Sequence, residues 1–129
     1  MTERLVEAAR AWMADDPDAE SRHELAALLD RGVDGVVATN TTLSRAGLRS
    51  PAATAAGGLS GRPLAARATA VVRAIHDRTG GRLPIIGVGG IFDAEDVQAK
   101  LDAGATLVQL YTGLVYVGPG IVSRILRAL

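Results

Sequence analysis

The sequence predicts an α/β fold in which strands alternate with helices, as in a parallel sheet or part of a (β/α) barrel. Two observations carry this prediction. Three short runs rich in β-branched residues, at 33–39, 85–88 and 106–111, are each followed by polar or glycine residues and later by a helical pattern. Aromatic residues make up only 3% of the chain, so the core must consist mainly of Leu, Val, Ile and Ala, as in many α/β proteins.

Composition narrows the function classes. With 129 residues, 48% of them hydrophobic, the chain can form one globular domain with a core. Lys+Arg and Asp+Glu are both 14, which gives no electrostatic reason to expect nucleic acid or an anionic membrane as a partner. Cysteine is absent, which excludes disulfides, thiol catalysis and thiolate metal sites. The N-terminus resembles neither a signal peptide nor a membrane span, so a cytoplasmic location is expected.

Two helices are predicted before the first strand. A helix over residues 2–14 is indicated by apolar side chains that share one face, namely Leu5, Ala9, Trp12 and Met13. Residues 15–18 end this helix, and their acidic side chains are interpreted as a solvated turn rather than a cation site. Ser21 and Glu24 have the spacing of a capping box that begins the second helix, and Gly32 suits its end.

The first strand and the helix after it are separated by a long loop. The strand over residues 33–39 is predicted to bury the run Val36, Val37 and Ala38. Residues 44–57 then indicate a loop whose length favours a functional role. Pro63 suits the first turn of the next helix, and Gly80 with Gly81 suits its end. The buried face of this helix is predicted to consist of Leu64, Ala68, Val71, Val72 and Ile75.

The second strand, at 85–88, stops at Gly89 and Gly90. The missing side chains there would allow an anionic group to approach the backbone N–H groups closely. Asp93, followed by Asp96 three residues later, is predicted to cap the next helix. A strand, a glycine turn and a helix in this order form a plausible phosphate site.

The last third of the chain repeats the same alternation. A helix over residues 94–103 is predicted to end at Gly104 and to point two side chains inward, Val97 and Leu101. A strand over residues 106–111 follows, and then a short apolar stretch after Gly113. A final helix is predicted to carry one apolar side composed of Ile121, Val122, Ile125, Leu126 and Leu129.

Functional groups of parallel α/β proteins gather at the carboxyl ends of the strands. In this chain those ends are Thr39–Asn40–Thr41, Gly89–Gly90 and Tyr111–Thr112–Gly113. Backbone N–H groups and a hydroxyl at the last two ends suit a phosphate. The amide of Asn40 and the hydroxyl of Thr41 suit a planar polar ligand, since together they offer donors and acceptors.

Each of these features has a structural alternative. Gly89 and Gly90 could form only a tight turn, Asn40 could form an Asx-turn or a cap, and Tyr111 could pack at the rim. Three arginines near the glycine loops could steer an anion or be solvated, namely Arg45, Arg49 and Arg62. No His, Asp or Glu group has metal-ligand spacing, and no Ser or His lies in a nucleophile motif.

Four motifs in this order resemble the C-terminal part of dihydroorotate dehydrogenases. They are Asn-Thr-Thr-Leu-Ser-Arg at 40–45, Gly-Gly-Leu-Ser-Gly-Arg-Pro-Leu at 57–64, Leu-Pro-Ile-Ile-Gly-Val-Gly-Gly-Ile at 83–91 and Leu-Val-Gln-Leu-Tyr-Thr-Gly at 107–113. The similarity covers about residues 25–129. Within these motifs, Gly-Arg-Pro-Leu and Tyr-Thr-Gly are similar to the quinone-dependent, membrane-associated class 2.

The resemblance implies an FMN-dependent TIM barrel that oxidises dihydroorotate to orotate in de novo pyrimidine biosynthesis and passes electrons to a quinone. Residues 32–129 would supply about the last three βα units, and residues 1–31 a preceding helical segment. Asn40 and Thr41 match residues that hold the orotate ring. Five residues match the family's FMN contacts, the last three of them around the phosphate: Thr39, Gly61, Gly90, Tyr111 and Thr112.

The chain also departs from the family pattern. The family's catalytic base, a serine in an upstream loop, has no counterpart here, so the chain is expected to be a truncated form that is inactive alone. Residues 1–31 do not match and are similar to the opening helices of phosphohexomutases. The alternative is a non-catalytic FMN- or phosphate-binding half barrel that self-associates through its open sheet edges. Three inward side chains are expected to lack opposing strands: Val36, Ile86 and Val108.

Overall fold

The computed structural model describes residues 32–50 and 54–129, which form a three-stranded sheet with helices. The strands are β1 (Val36–Ala38), β2 (Ile85–Val88) and β3 (Leu107–Gln109). They lie in the order β1-β2-β3, and both neighbouring pairs are parallel. The predicted parallel α/β architecture is therefore confirmed. The two helices predicted upstream of Gly32 lie outside the described residues.

Four α-helices and one 3₁₀ turn accompany the strands in the described part of the chain. A 3₁₀ turn over Arg62–Leu64 leads directly into α1 (Ala65–Thr79). The other helices are α2 (Ala94–Asp102), α3 (Thr112–Val117) and α4 (Ile121–Ala128). The apolar stretch after Gly113 is thus helical. Within residues 32–50 and 54–129, none of the helices has the length and apolar character needed to cross a bilayer.

The predicted helix boundaries agree with the capping geometry. Pro63 lies in the first turn of the 3₁₀ segment, where its missing N–H costs nothing. Gly80 ends α1 in the left-handed conformation, with φ of 59°, and its N–H bonds back to carbonyls of the last turn. Asp93 begins α2, because its carboxylate accepts a hydrogen bond of 2.9 Å from the Asp96 N–H.

The main core lies between the sheet and α1. All five side chains predicted for the apolar face of α1 and its preceding turn are buried. They meet one face of the strands, where Ile85 is fully buried and Val36 is 4% exposed. A second cluster joins α2 and α4 to the end of β3 and contains Ile91, Val97, Ile121 and Ile125, with Val108 packed against it. Helices therefore cover one side of the sheet.

The opposite side of the sheet, called the inward face below, carries one row of apolar residues. The strand register aligns Val37 with Ile86 and Ile86 with Leu107. Because side chains alternate along a strand, this row points away from α1. Val37 is 38% exposed and Leu107 is 61% exposed, so the prediction that Val37 is buried was wrong. Ile86 does belong to the inward face.

The expectation that Val36 and Val108 belong to the inward face was also wrong. Val36 and Val108 point toward the helices and lie in or against the two core clusters. A continuous apolar run such as Val36-Val37-Ala38 offers no alternation from which its two faces could be assigned.

Two helical faces also differ from the prediction. In α2, Leu101 is 37% exposed, and its neighbour Lys100 is buried instead. In α4, only Ile121 and Ile125 are buried, whereas the other predicted members of that side are exposed: Val122, Leu126 and Leu129. The reason is that α4 packs only along a narrow stripe against α2 and α3.

The loop predicted over residues 44–57 is held together by Arg45. Its guanidinium donates hydrogen bonds to the carbonyls of Thr42 and Leu43 on one side and of Ala55 and Gly57 on the other. This arginine therefore organises the loop and is not simply solvated. The backbone of Thr42 also pairs with that of Leu59, which brings the end of the loop back toward the sheet.

Candidate functional site

One cavity of about 140 Å³ lies at the carboxyl ends of the strands. The structure brings all seven predicted site residues to its wall: Thr39, Asn40, Thr41, Gly61, Gly90, Tyr111 and Thr112. The remaining lining residues are Ser60, Leu64, Val88, Gly89, Ile91, Leu110 and Gly113. Residues that are far apart in sequence thus form one wall, as expected where the ends of parallel strands meet.

Gly90 is required by packing as well as by its conformation. Its φ is +75°, and a Cβ at this position would lie 2.4 Å from Cα of Ala65 in the first turn of α1. The tight turn alone therefore requires glycine at position 90, as the structural alternative stated. Gly90 lines the cavity, and no backbone carbonyl of the described residues accepts a hydrogen bond from its N–H.

The loop before α1 and the start of α3 close the cavity together. The Thr112 hydroxyl donates a hydrogen bond of 3.0 Å to the Ser60 hydroxyl. A Cβ on Gly61 would lie 3.2 Å from the Thr112 methyl carbon, so the two segments are in close contact. The N–H groups of Gly61 and Thr112 likewise donate to no backbone carbonyl in the described part of the chain. Gly61, Gly90 and Thr112, whose N–H groups lack a backbone partner in the described residues, all line this cavity.

Thr39 contributes a hydroxyl without a partner. Its Oγ1 is buried, and none of the described residues offers it a hydrogen bond. Leaving a buried polar group unsatisfied costs about 1–3 kcal/mol. Thr39 is also one of the residues that line the cavity.

Asn40 and Thr41 lie next to each other at the mouth of the cavity. The Asn40 Oδ1 accepts hydrogen bonds from the Thr41 N–H at 2.8 Å and from the Thr41 hydroxyl at 3.4 Å. This bond reaches the next residue, whereas an Asx-turn requires a bond to the N–H two residues on, and the Thr42 N–H donates instead to the Leu59 carbonyl. Gly58 makes room for this pair, since a Cβ there would lie 1.8 Å from the Thr41 hydroxyl oxygen.

Arg62 fixes the loop before α1 to the start of α2. Its guanidinium contacts Asp93 at 2.8 Å and Asp96 at 3.0 Å, and it lies 4.9 Å from the centre of the Phe92 ring. The hydrogen bond from Arg62 holds the pKa of Asp93 below its ordinary value. Two carboxylates thus occupy Arg62, and no arginine lines the cavity among the described residues.

Lys100 is the functional candidate that sequence reasoning missed. It is only 1% exposed, although a lysine on a helix is ordinarily assigned to solvent. The sequence contains one indication that this residue is special: Lys100 is the only lysine among the 14 Lys and Arg residues of the chain.

A second cavity of about 620 Å³ adjoins the first. It shares Gly61, Tyr111 and Thr112 with the first cavity, and its other side is formed by Phe92, Val115 and Tyr116. Tyr111 is 73% exposed and stands between the two cavities, at the rim rather than in the core. In residues 32–50 and 54–129, no three His, Asp or Glu side chains cluster as they would around a metal ion.

Comparisons with known proteins agree with this geometry. The family model described as dihydroorotate dehydrogenase matches residues 14–129. A relative from Anaeromyxobacter sp. (strain Fw109-5), named dihydroorotate dehydrogenase (quinone), is 63% identical over 98 residues, which cover 75% of this chain and 27% of the relative. A relative of the same name from Chromobacterium violaceum is 54% identical over 118 residues, which cover 90% of this chain and 34% of the relative.

A crystal structure of ligand-free DHODH from Eimeria tenella is similar with a TM-score of 0.82 and 40% identity, over 86% of this chain and 31% of that one. The chain thus spans 27% to 34% of the length of these relatives. The predicted partial (β/α) barrel is confirmed by this likeness. The family match begins at residue 14, upstream of the first shared motif. In sequence and in fold, this chain belongs to the dihydroorotate dehydrogenase family.

Proposed function

We propose that this chain carries the FMN-phosphate site and part of the substrate site of a class 2, quinone-dependent dihydroorotate dehydrogenase. That activity oxidises dihydroorotate to orotate in de novo pyrimidine biosynthesis. The observation that carries the proposal is the single cavity of about 140 Å³ in which all seven motif residues meet.

The cavity suits a phosphate group better than a whole nucleotide. Its volume of about 140 Å³ is below the roughly 300–1,000 Å³ that sites for entire small ligands occupy. The N–H groups of Gly61, Gly90 and Thr112 can donate to phosphate oxygens, and the glycines let the anion approach the backbone. Backbone amides and a hydroxyl would hold the phosphate, because no arginine or lysine of the described residues lines this cavity.

The other motif residues suit the remaining parts of the ligands. Thr39 offers its unpartnered hydroxyl to the flavin, and Tyr111 forms the rim beside it. Asn40 and Thr41 offer an amide and a hydroxyl to the many acceptors and donors of a pyrimidine ring. When bound, FMN supplies the hydride acceptor for dihydroorotate oxidation.

The neighbouring cavity suits an apolar electron acceptor. Its wall includes Phe92, Val115 and Tyr116, and these side chains provide apolar area next to the proposed phosphate site. A quinone ring matches such a surface. We further propose a cytoplasmic location, with the peripheral membrane association that the family resemblance implies.

The test is a titration of FMN with the 129-residue chain, followed by flavin fluorescence. We expect saturable binding of FMN and no oxidation of dihydroorotate with a quinone analogue, because the family's serine base has no counterpart here. Absence of FMN binding would contradict the proposed site. Clear turnover by the purified chain would contradict the assignment of the base to an upstream loop.

Gly58→Ala tests the substrate half of the proposal separately. The new Cβ would displace the Thr41 hydroxyl, which lies 1.8 Å from its position. Loss of one hydrogen bond to a charged ligand corresponds to about a tenfold lower affinity for orotate. FMN affinity should stay unchanged. Gly120→Ala is the matched control, because a Cβ there meets nothing within 4 Å.

A second candidate function, a non-catalytic FMN-binding half barrel that self-associates, is favoured by the exposed inward face. Leu107 is 61% exposed there, and a cavity of about 640 Å³ lies against the same face. Two copies could cover these faces or pair their outer strands. Analytical ultracentrifugation at increasing concentration tests this candidate, and a monomer across the whole range would exclude it.

A further inference from the structure

Lys100 is a buried cation in an environment that ordinarily excludes one. It is among the largest fully buried side chains of the described residues. The other 13 residues among the 14 Lys and Arg of the chain are arginines. A compact ammonium on a flexible apolar stem can enter a packed region that a planar guanidinium cannot.

The ammonium of Lys100 bonds to the first turn of α1. Its Nζ donates hydrogen bonds of 2.6 Å to the Thr69 hydroxyl and 3.2 Å to the Ala65 carbonyl. The Thr69 hydroxyl in turn donates to the same carbonyl at 3.0 Å. Lys100 belongs to α2, so these bonds join α2 to the beginning of α1. The partners are neutral, and neither is a carboxylate.

The same turn of α1 lies directly against the glycine turn of the phosphate cavity. Ala65 is the residue whose Cα would lie 2.4 Å from a Cβ on Gly90. The stem of Lys100 passes over β2, where its Cδ would lie 3.3 Å from a Cβ on Gly87. Lys100 therefore contacts the strand that leads to the glycine turn and the helical turn that packs behind it.

The hydrogen-bond partners of the Lys100 ammonium carry no negative charge that could neutralise it. The nearest acidic influence is Asp96, whose carboxylate is bonded to Arg62. Burial lowers the pKa of Lys100, and Asp96 acts in the opposite direction. A buried cation without a carboxylate partner costs folding free energy, and such costly groups concentrate at functional sites.

We propose that Lys100 is a positioning residue for the FMN phosphate: it fixes the Ala65 turn behind Gly90 and places one positive charge behind an anion site that is lined by no Arg or Lys of the described residues. This inference rests on the proposed function. It assigns to Lys100 no contact with the ligand, because Lys100 acts through Ala65 and through its electric field. A charge in a poorly solvated region acts over a longer range than the same charge at the surface.

The test compares FMN with riboflavin, which has the same ring but no phosphate. Lys100→Met keeps the apolar stem and removes the charge. We expect about a tenfold loss of FMN affinity and no change in riboflavin affinity, since only FMN carries the dianion. Arg73→Met is the matched control, because it removes an exposed cation from α1, the helix to which Lys100 bonds. That variant should bind both ligands like the wild type.

The outcomes separate the two proposals. Equal losses of FMN and riboflavin affinity in Lys100→Met would show a structural role only, and unchanged FMN affinity would show no role. Either result overturns the assignment of Lys100 but keeps the phosphate site. A wild-type chain without preference for FMN over riboflavin would instead overturn the phosphate site and the role of Lys100 with it.

A measurement on the unmodified chain decides the question if Lys100→Met does not fold. Because the chain has one lysine, ¹⁵N-lysine labelling gives a single side-chain ammonium signal. We expect this signal to shift when FMN is added and to stay in place with riboflavin. An ammonium signal whose chemical shift does not change at saturating FMN would contradict the proposal.

Discussion

The carboxyl-end edge of the sheet and its inward face differ in the groups that form them and in how far the described residues enclose them. At the carboxyl end, a cavity of about 140 Å³ is enclosed by turns that touch one another and by hydroxyl and N–H groups. The inward face carries apolar side chains that the described residues leave open, and a cavity of about 640 Å³ lies against it near Val37 and Leu107. The difference is that the small cavity is enclosed by the described residues, whereas those residues cover only one side of the sheet that supports it.

Gly90→Ala should give the largest effect, because it breaks the close approach on which the carboxyl end depends. A Cβ would overlap the Ala65 backbone at 2.4 Å and would also strain a φ of +75°. We expect a loss of more than about 3 kcal/mol in the free energy of unfolding, measured by urea denaturation.

Gly80→Ala separates the cost of backbone strain at a positive φ from the cost of steric overlap. Gly80 has φ of +59°, but nothing lies within 4 Å of a Cβ there. This control should lose only about 1 kcal/mol. Equal losses in the two variants would mean that the contact between Gly90 and Ala65 is unimportant.

A pair of apolar truncations measures the two sides of the sheet directly. Ile85→Ala removes a fully buried side chain from the helix-covered side and should cost about 3 kcal/mol. Leu107→Ala removes a side chain that is 61% exposed on the inward face and should cost less than about 1 kcal/mol. A large loss for Leu107→Ala would show that a second copy or another segment covers the inward face.

Thr39→Val tests whether the unpartnered hydroxyl belongs to a ligand. Without FMN, this substitution removes a buried group that has no hydrogen-bond partner in the described part of the chain, so stability should stay equal or rise by about 1 kcal/mol. With FMN, the affinity should fall. A variant that loses stability in the absence of FMN would show that the Thr39 hydroxyl already has a partner in the protein.

The smallest expected effect concerns the ion pair between Arg62 and Asp93. The hydrogen bond from Arg62 holds the pKa of Asp93 below 3.8, so the folded state binds fewer protons than the unfolded state just below that pH. The contribution of Asp93 is complete above pH 3.8 and is lost as the pH falls through its lowered pKa. Because 45% of the Asp93 side chain is exposed, we expect at most about 0.5–1 kcal/mol.

Asp93→Asn is the matched variant for this pH effect. Asparagine keeps the oxygen that caps α2 but carries no charge. Urea denaturation at pH 5 and at pH 3 should therefore show a smaller loss in the variant than in the wild type. Identical losses in both proteins would assign the acid sensitivity to other carboxylates.

Local patterns in the sequence predicted what depends on near neighbours. The face of α1, the Asp93 cap and the Gly80 end follow from spacings of a few residues, and the structure agrees with all three. The seven site residues were placed by motif resemblance together with the rule that functional groups gather at strand ends.

Contacts between distant segments could not be predicted in this way. The apolar runs of the strands carry no alternation of polar and apolar residues, so the sequence did not indicate which of Val36 and Val37 faces the helices. The packing of Gly90 on Ala65 joins two different βα units and leaves no local signal. Lys100 was missed because helical spacing alone allows either it or Leu101 to point inward.

The most direct test of the account maps FMN onto the backbone by amide chemical shifts in a ¹⁵N-labelled chain. We predict that the largest shifts occur at Gly61, Gly90 and Thr112, which line the small cavity, and that Val37 and Leu107 on the inward face stay unchanged. Shifts centred on the inward face, or none at the three cavity amides when FMN is saturating, would contradict the account.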